Sequence, residues 1–167
     1  MKIKILAFLL MLLPGASYAA VDMFLDITDV TGESQDDDHM NEIDVLAWSW
    51  GASTSGRFTC IQDLGVTKFV DSSSPTLLMG QVQGRVYDEA VLTVRKAGDN
   101  PLEYIIIKFK NVTVSSISMG GSGGEDRLTE NMSLNFESAI YEYTPQGIDG
   151  VPGTPETAEI YPSSRCK

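Results

Sequence analysis

The chain has 167 residues, a length that suits a single domain. It carries 23 acidic against 12 basic residues, so its formal net charge is −11 at pH 7. A surface this acidic repels phosphate backbones and no basic stripe offsets it, which argues against nucleic acid as a partner. The single histidine, His39, argues against a metal site built from two or three imidazoles.

The N-terminus has the pattern of a secretory signal peptide. Lys2 and Lys4 precede an unbroken apolar run at residues 5–13, and small residues at Ser17 and Ala19 form a cleavage pattern. The run is about half of the roughly 20 residues that a bilayer-spanning helix needs. We therefore predict that residues 1–19 are removed and that the protein is periplasmic or secreted, with no stable membrane span.

The two cysteines, Cys60 and Cys166, are an even number, which permits a disulfide in an exported protein. An intramolecular bridge, an intermolecular bridge and two free thiols all remain open. Cys60 falls in a strand-like pattern that predicts a buried position.

Period-two patterns dominate the chain after residue 20 and predict half-buried strands. Residues 43–50 read as a strand with Trp48 and Trp50 on one face, packed in the core, and Val45 on the other. Residues 57–70 predict one or two further strands. The patterns occur at residues 21–28, 43–50, 57–70, 89–95, 102–114 and 128–140.

One segment has helix signals instead. Ser74 and Pro75 precede Leu77, Leu78, Met79 and Val82, and Gly84 follows. A serine that accepts a hydrogen bond from the first amides, a proline in the first turn and a terminal glycine predict a helix from residue 74 to 83.

Two further features concern the strands after this helix. Residues 98–101, Gly-Asp-Asn-Pro, predict the turn of a hairpin. The apolar phase slips near Lys110 and Asn111, which predicts a β-bulge or a bend. Residues 147–167 are rich in proline and glycine and read as an extended tail. Several strands with one helix indicate a small barrel or a sandwich.

No catalytic, cofactor-binding or metal-binding residues emerge. His39 lies beside three aspartates in the polar segment 31–41, which reads as a solvated loop because it lacks the alternation of a calcium loop. The glycines at 120–124 resemble a phosphate loop, but Glu125 and Asp126 follow where a lysine should stand. We expect a flexible loop between two strands there, and no enzyme.

The order of several motifs resembles the haemolysin-coregulated protein (Hcp) family from about residue 22 to 146. The stretch from residue 120 to 131 is long and unusual in composition. The matching stretches are Met23-Phe-Leu-Asp-Ile, Gly32-Glu-Ser, Glu42-Ile-Asp-Val-Leu-Ala-Trp-Ser-Trp-Gly51, Glu89-Ala-Val-Leu-Thr-Val-Arg-Lys-Ala-Gly98, Leu102-Glu-Tyr, Gly120-Gly-Ser-Gly-Gly-Glu-Asp-Arg-Leu-Thr-Glu-Asn131 and Tyr143-Thr-Pro-Gln146.

The resemblance implies a mainly β fold for residues 20–146, a small β-barrel of two sheets with one short α-helix. It also implies a non-enzymatic role in a type VI secretion system. Family members form hexameric rings that stack into a secreted tube, whose lumen carries small effector proteins. Residues 32–41 and 97–102 are then candidate loops for ring-to-ring or lateral contacts.

Two features depart from the family pattern. Tube-forming members usually lack a signal peptide, and residues 148–167, including Cys166, resemble the family's closing segment only weakly. An exported Hcp-like interaction module that forms no tube is therefore the alternative function. An enzyme or toxin is disfavoured because no reactive constellation is present.

Overall fold

The structure is a computed structural model that describes residues 21–96, 101–124, 126–148 and 150–162. The predicted signal peptide, the predicted turn at residues 98–101 and Cys166 lie wholly or mainly outside these ranges. The elements are β1 Val21–Ile27, β2 Ile43–Ser49, β3 Ala52–Ser55, β4 Phe58–Ile61, β5 Leu64–Phe69, α1 Ser74–Gln83, β6 Val86–Lys96, β7 Leu102–Gly120, β8 Thr129–Asn135, β9 Ser138–Tyr143 and β10 Glu156–Ile160.

Six strands close into an antiparallel barrel. They pair in the order β7, β6, β1, β2, β5 and β8, and β8 pairs back onto β7. Strands β9 and β10 continue the sheet beyond the barrel from the first half of β7, whereas β3 and β4 form a separate hairpin. A mainly β barrel with one short helix agrees with the predicted fold class.

The core fills the barrel with side chains that alternate along each strand. Inward residues of β1, β6 and β8 recur at every second position, because successive strand residues point to opposite faces. The fully buried members are Leu25, Leu64, Leu77, Ala90, Leu92, Ile107 and Val112, each at 0% exposure. Among the described helices, none has the length and apolarity needed to cross a bilayer.

The predicted bend near Lys110 and Asn111 is confirmed. Asn111 has a positive φ of 51°, and the buried positions change from Ile107 and Phe109 to Val112 and Val114 across it. Strand β7 pairs with β9 up to Lys110 and with β8 from Thr113 onward. The bend is therefore where the long strand changes partner.

The predicted faces of β2 are wrong. The pairing of β2 with β5 shifts register between Val45 and Ala47. This irregularity changes the alternation, so that Val45 lies in the core and Trp48 and Trp50 pack against the same core. The predicted core role of both tryptophans is confirmed, and the ring of Trp50 lies 5.5 Å from that of Phe109.

The predicted helix is confirmed from Ser74 to Gln83, and Gly84 ends it in the left-handed conformation at φ 63°. Gly80 lets the helix approach the barrel, because a methyl group there would lie 2.2 Å from the Tyr87 hydroxyl oxygen. The predicted capping by Ser74 is wrong, since no side chain caps this helix. Ser74 is buried and bonds to the barrel instead.

The first turn of α1 is fixed to the barrel by a buried charge network. The Lys68 ammonium on β5 is fully buried and lies 2.7 Å from Asp71 Oδ1 and 2.8 Å from Glu130 Oε1 on β8. It also lies 3.1 Å from Ser74 Oγ, which donates to Glu130 at 2.8 Å. Because the ammonium lies between two carboxylates, this lysine joins two strands and the helix.

Three features of the strands were not predicted from the sequence. The segment predicted as the last strand forms two strands, β8 and β9. The chain turns between them at Phe136 and Glu137, where the Glu137 amide donates to the Lys110 carbonyl. Strands β3 and β10 were not predicted, since serine, threonine and glycine or exposed polar residues fill them. The predicted tail thus contains a strand paired with β9.

We predict that Lys68→Met lowers the free energy of unfolding by about 3–5 kcal/mol, because it strands two buried carboxylates. Lys110→Met is the matched control, since Lys110 is 55% exposed and pairs with Glu89 at the surface. The control should cost less than about 1 kcal/mol. Urea denaturation of both variants measures the difference, and equal losses would contradict the network's role.

Candidate assembly interface

The described residues offer no cluster of three histidine, cysteine, aspartate or glutamate side chains that would hold a metal ion. Cys60 and His39, the residues weighed for nucleophilic chemistry, lie in different parts of the fold. Cys60 is on β4, and His39 follows β1 in the acidic segment. The functional surfaces are therefore sought among exposed strands and loops.

The expected burial of Cys60 is wrong. It lies half-buried on the two-stranded hairpin of β3 and β4, outside the barrel, and it is disulfide-bonded. The sequence contains one other cysteine, Cys166. The bond favours an oxidising compartment for the folded protein.

The acidic loop, residues 31–42, is exposed at most positions, as predicted, but two of its side chains are buried. Its Ser34 and His39 are buried at 1% and 7% exposure. The loop closes on itself through backbone bonds, with the Gly32 amide 2.7 Å from the Asn41 carbonyl. It covers Phe24, which points out of the barrel from β1 and is nevertheless 5% exposed.

A buried arginine holds this loop against β6. The Arg95 guanidinium, on β6, forms an ion pair with Asp36 of the loop and a 3.4 Å contact with Asp22 on β1. Its hydrogen bond to Asp36 lowers the pKa of that carboxyl from the ordinary 3.8 to about 2. The same contacts raise the pKa of Arg95, so both groups stay charged across the physiological range.

The glycine-rich segment at 120–128 connects β7 to β8, as predicted. The guanidinium of Arg127 lies 4.0 Å from the centre of the Phe69 ring and so contacts β5. The segment leads into a strand and not into a helix, so it lacks the helix N-terminus that a phosphate-binding loop requires. Of the other predicted contact loop, residues 97–100 lie outside the described ranges.

Strand β10 forms an edge of the sheet. Among the described residues it pairs with β9 alone, and four of its five residues are exposed. An unpaired strand edge presents a row of amide and carbonyl groups that another strand can bond. Because the rest of the large sheet is closed into a barrel, β10 is its open edge.

The inward face of β9 and β10 forms a shelf beyond the barrel. Ala139 is buried in the core, and Tyr141 and Tyr143 follow on the same face of β9. Across from them, Ala158 pairs with Tyr141 and Glu156 with Tyr143. The shelf lines an open cavity of about 480 Å³, and Tyr143 is 41% exposed. An exposed tyrosine such as Tyr143 is typical of interface cores.

The outer face of β2, β5 and β8 has a different character around Gly65, where no charged side chain lines the surface. Gly65 leaves a shallow groove of about 220 Å³ at its centre. Its neighbours have short or neutral polar side chains, whereas the chain as a whole carries a charge of −11. The lining residues are Ala47, Trp48, Ser49, Gly65, Val66, Thr67, Asn131, Met132 and Ser133.

The comparisons with known proteins bear on the family and the fold. A family model described as "Type VI secretion system effector, Hcp" matches residues 24–143. The chain belongs to the Hcp family of type VI secretion proteins. Protein hcp1 of Pseudomonas aeruginosa is 54% identical to it over 142 residues, covering 78% of this chain and 88% of that protein.

Solved structures agree with the Hcp assignment. Hcp1 from Salmonella typhimurium superposes with a TM-score of 0.74 at 34% identity, covering 85% of this chain and 94% of its own. A type VI secretion system effector from Yersinia pestis gives a TM-score of 0.74 at 32% identity, covering 84% and 99%. The predicted family and fold are therefore confirmed. The sequence missed the β9–β10 shelf, although the alternation of Ala139, Tyr141 and Tyr143 was a signal for its inward face.

We predict a pH-dependent contribution from Asp36. The pKa of this carboxyl is lowered on folding, so its ion pair stabilises the protein fully above about pH 4 and loses this effect as the pH falls toward 2. Asp36→Asn should be less stable than the wild type at pH 7, and the gap in unfolding free energy should close by pH 2. The exposed Asp37→Asn is the control, and a gap that stays constant with pH would contradict the assignment.

We also predict that the disulfide of Cys60 joins it to Cys166 of the same chain. Peptide mapping by mass spectrometry without reductant should recover the two cysteines in one linked fragment, from a species of monomer mass in denaturing gels. Because the bridge closes a loop of about a hundred residues, Cys60→Ser should cost on the order of 4 kcal/mol of stability in the chain-entropy account. Linked dimers in denaturing gels would contradict an intramolecular bond.

Proposed function

We propose that this Hcp protein forms hexameric rings that stack into the inner tube of a type VI secretion system. Its partners are then copies of itself, other components of the machine and small effectors carried in the lumen. The protein acts in this proposal as a structural part with no catalytic step. The single observation that carries the proposal is the open edge of β10 on an otherwise closed barrel.

The geometry of β10 supports a head-to-tail contact. A ring needs a heterologous interface, in which one patch meets a different patch on the neighbour. The β9–β10 shelf projects from one side of the barrel and joins a free strand edge to the exposed Tyr143. A one-sided projection of this kind favours closure into a ring over an isologous dimer.

The uncharged groove around Gly65, on the outer face of β2, β5 and β8, supports a place in the lumen. Short neutral side chains such as Ser49 and Thr67 leave a smooth wall without fixed charges. Cargo of either charge sign then passes without strong electrostatic trapping. In this proposal, the acidic residues of the chain lie on surfaces that do not face the lumen of the assembled tube.

A second candidate function rests on the disulfide of Cys60. Structural disulfides persist in oxidising compartments, which matches the signal peptide predicted for residues 1–19. An exported Hcp barrel that acts outside the cell or in the periplasm as an interaction module would use the same fold without forming the tube. The oligomeric state of the purified protein distinguishes this second function from the first, because only the tube function requires rings.

We predict that the chain from Ala20 onward, purified under oxidising conditions, forms six-fold rings. Ala158→Arg places a charge in the β9–β10 shelf and should weaken subunit association by at least about tenfold, since an unpaired charge would be buried there. Ser49→Arg adds the same charge to the uncharged face and should leave ring formation intact. Light scattering and negative-stain imaging measure both.

A wild-type protein that stays monomeric at high concentration would favour the exported interaction module. If rings still form in Ala158→Arg, the β9–β10 shelf is not part of the interface between subunits. Loss of rings in Ser49→Arg alone would instead place the uncharged face in the contact between subunits. Circular dichroism of each variant separates lost assembly from lost folding.

A further inference from the structure

The acidic loop, residues 31–42, is attached to the strands of the barrel at two points, and Ser72, in the connection before α1, adds a third attachment by donating to Glu33 and Thr31. Arg95 holds Asp36 at one point, and His39 is inserted at the other. The imidazole of His39 stacks on the Phe24 ring, with the ring centres 4.2 Å apart and the planes 11° from parallel. Arg95 also lies over Phe24, at 5.0 Å from the ring centre. Phe24 thus joins both attachment points.

Each ring nitrogen of His39 faces a carboxylate. Nδ1 lies 3.0 Å from Glu42 Oε1 at the end of the loop, and Nε2 lies 3.3 Å from Glu103 Oε1 on β7. Neither contact has the alignment of a directed hydrogen bond, so both are defined by the short distance between a ring nitrogen and a carboxylate oxygen. The second joins the loop to a strand that is about sixty residues away in sequence.

Such an arrangement needs a proton. A neutral imidazole has one N–H group and one lone pair, so one of its nitrogens would turn a lone pair toward a carboxylate oxygen. The imidazolium has an N–H group on both nitrogens, and its positive charge lies between the two carboxylates and neutralises part of their charge. Closure of the loop over Phe24 is therefore coupled to protonation of His39.

The surrounding charges strengthen this coupling. Glu42 faces His39 from the loop, Glu103 from β7 and Asp26 lies close enough on β1 to act on Glu42 electrostatically. The neighbouring cation, Arg95, is already engaged by carboxylates, namely Asp22, Asp36 and Asp38. Loss of the His39 proton thus leaves Glu42 and Glu103 without the positive charge that faces them. Burial already raises the pKa of Glu42, against the lowering effect of His39.

We propose that the acidic loop is a proton-dependent latch, which closes over β1 and β6 when His39 is an imidazolium and loosens when His39 is neutral. The latch acts within one chain, so it goes beyond the tube function and does not depend on it. Met40, 48% exposed at the loop, moves with it, and any contact made by the loop surface becomes sensitive to pH.

Amide hydrogen exchange of the purified full chain tests the latch. The amides of Gly32, Ser34 and Asn41 are bonded within the closed loop and report its opening. After correction for the intrinsic pH dependence of exchange, their protection should fall by about fivefold or more between about pH 5 and pH 8, where histidine titrates. Protection of the barrel amide of Ile107 should stay constant.

The protein is expressed without a histidine tag, so His39 gives the only imidazole signals in its proton NMR spectrum. Loop protection should follow the titration of these signals. His39→Gln should abolish the pH dependence and Glu103→Gln should reduce it. The exposed Asp37→Asn removes one loop charge outside the latch and should leave it unchanged.

Three results would overturn the proposal. They are loop protection that does not change while the imidazole titrates, an imidazole that shows no titration, and a pH dependence that persists in His39→Gln. Because the readout is local exchange within one chain, it stays informative whether or not the protein forms rings. Failure of the latch and failure of ring assembly are therefore distinguishable.

Discussion

Strand β7 pairs with β9 along its first half and with β8 along its second half, and the bend at Asn111 makes this change of partner possible. Its first half carries β9 and β10 away from the barrel, and its second half pairs with β8 to close it. A straight strand of 19 residues would keep one partner along its length and leave the barrel open. The positive φ of Asn111 and the matching change of buried phase provide the bend. Asparagine tolerates this conformation better than most residues.

Charged side chains inside the structure attach peripheral elements to the barrel. Lys68 joins the first turn of α1 to β5 and β8, while Arg95 and His39 hold the acidic loop on the outer face of β1 and β6. In a chain with almost twice as many acidic as basic residues, Lys68 and Arg95 each pair with at least two carboxylates, and the imidazole of His39 contacts two. The scarce cations are therefore placed where the fold brings carboxylates from distant segments together.

The contrast among the surfaces suits an assembling protein. The shelf of β9 and β10 offers a free edge and the exposed Tyr143, whereas the groove around Gly65 is neutral. The disulfide of Cys60 adds a covalent constraint on the hairpin outside the barrel. A closed barrel leaves few unpaired edges, so β10 is the open edge of the large sheet among the described residues.

The sequence by itself determined the strand-rich class, the helix from Ser74 to Gln83 with its terminal glycine, the bend near Asn111 and, through ordered motifs, the Hcp family. These features depend on local alternation, turn residues and short-range conformational preference, all of which act within a few residues. Tertiary structure alone decided the rest. The bulge after Val45, the strand β10, the burial of His39 and the role of Ser74 beside Lys68 each depend on a partner more than ten residues away or on a pairing register. Period-two patterns say which side chains share a face, but the closure of the barrel decides which charges meet.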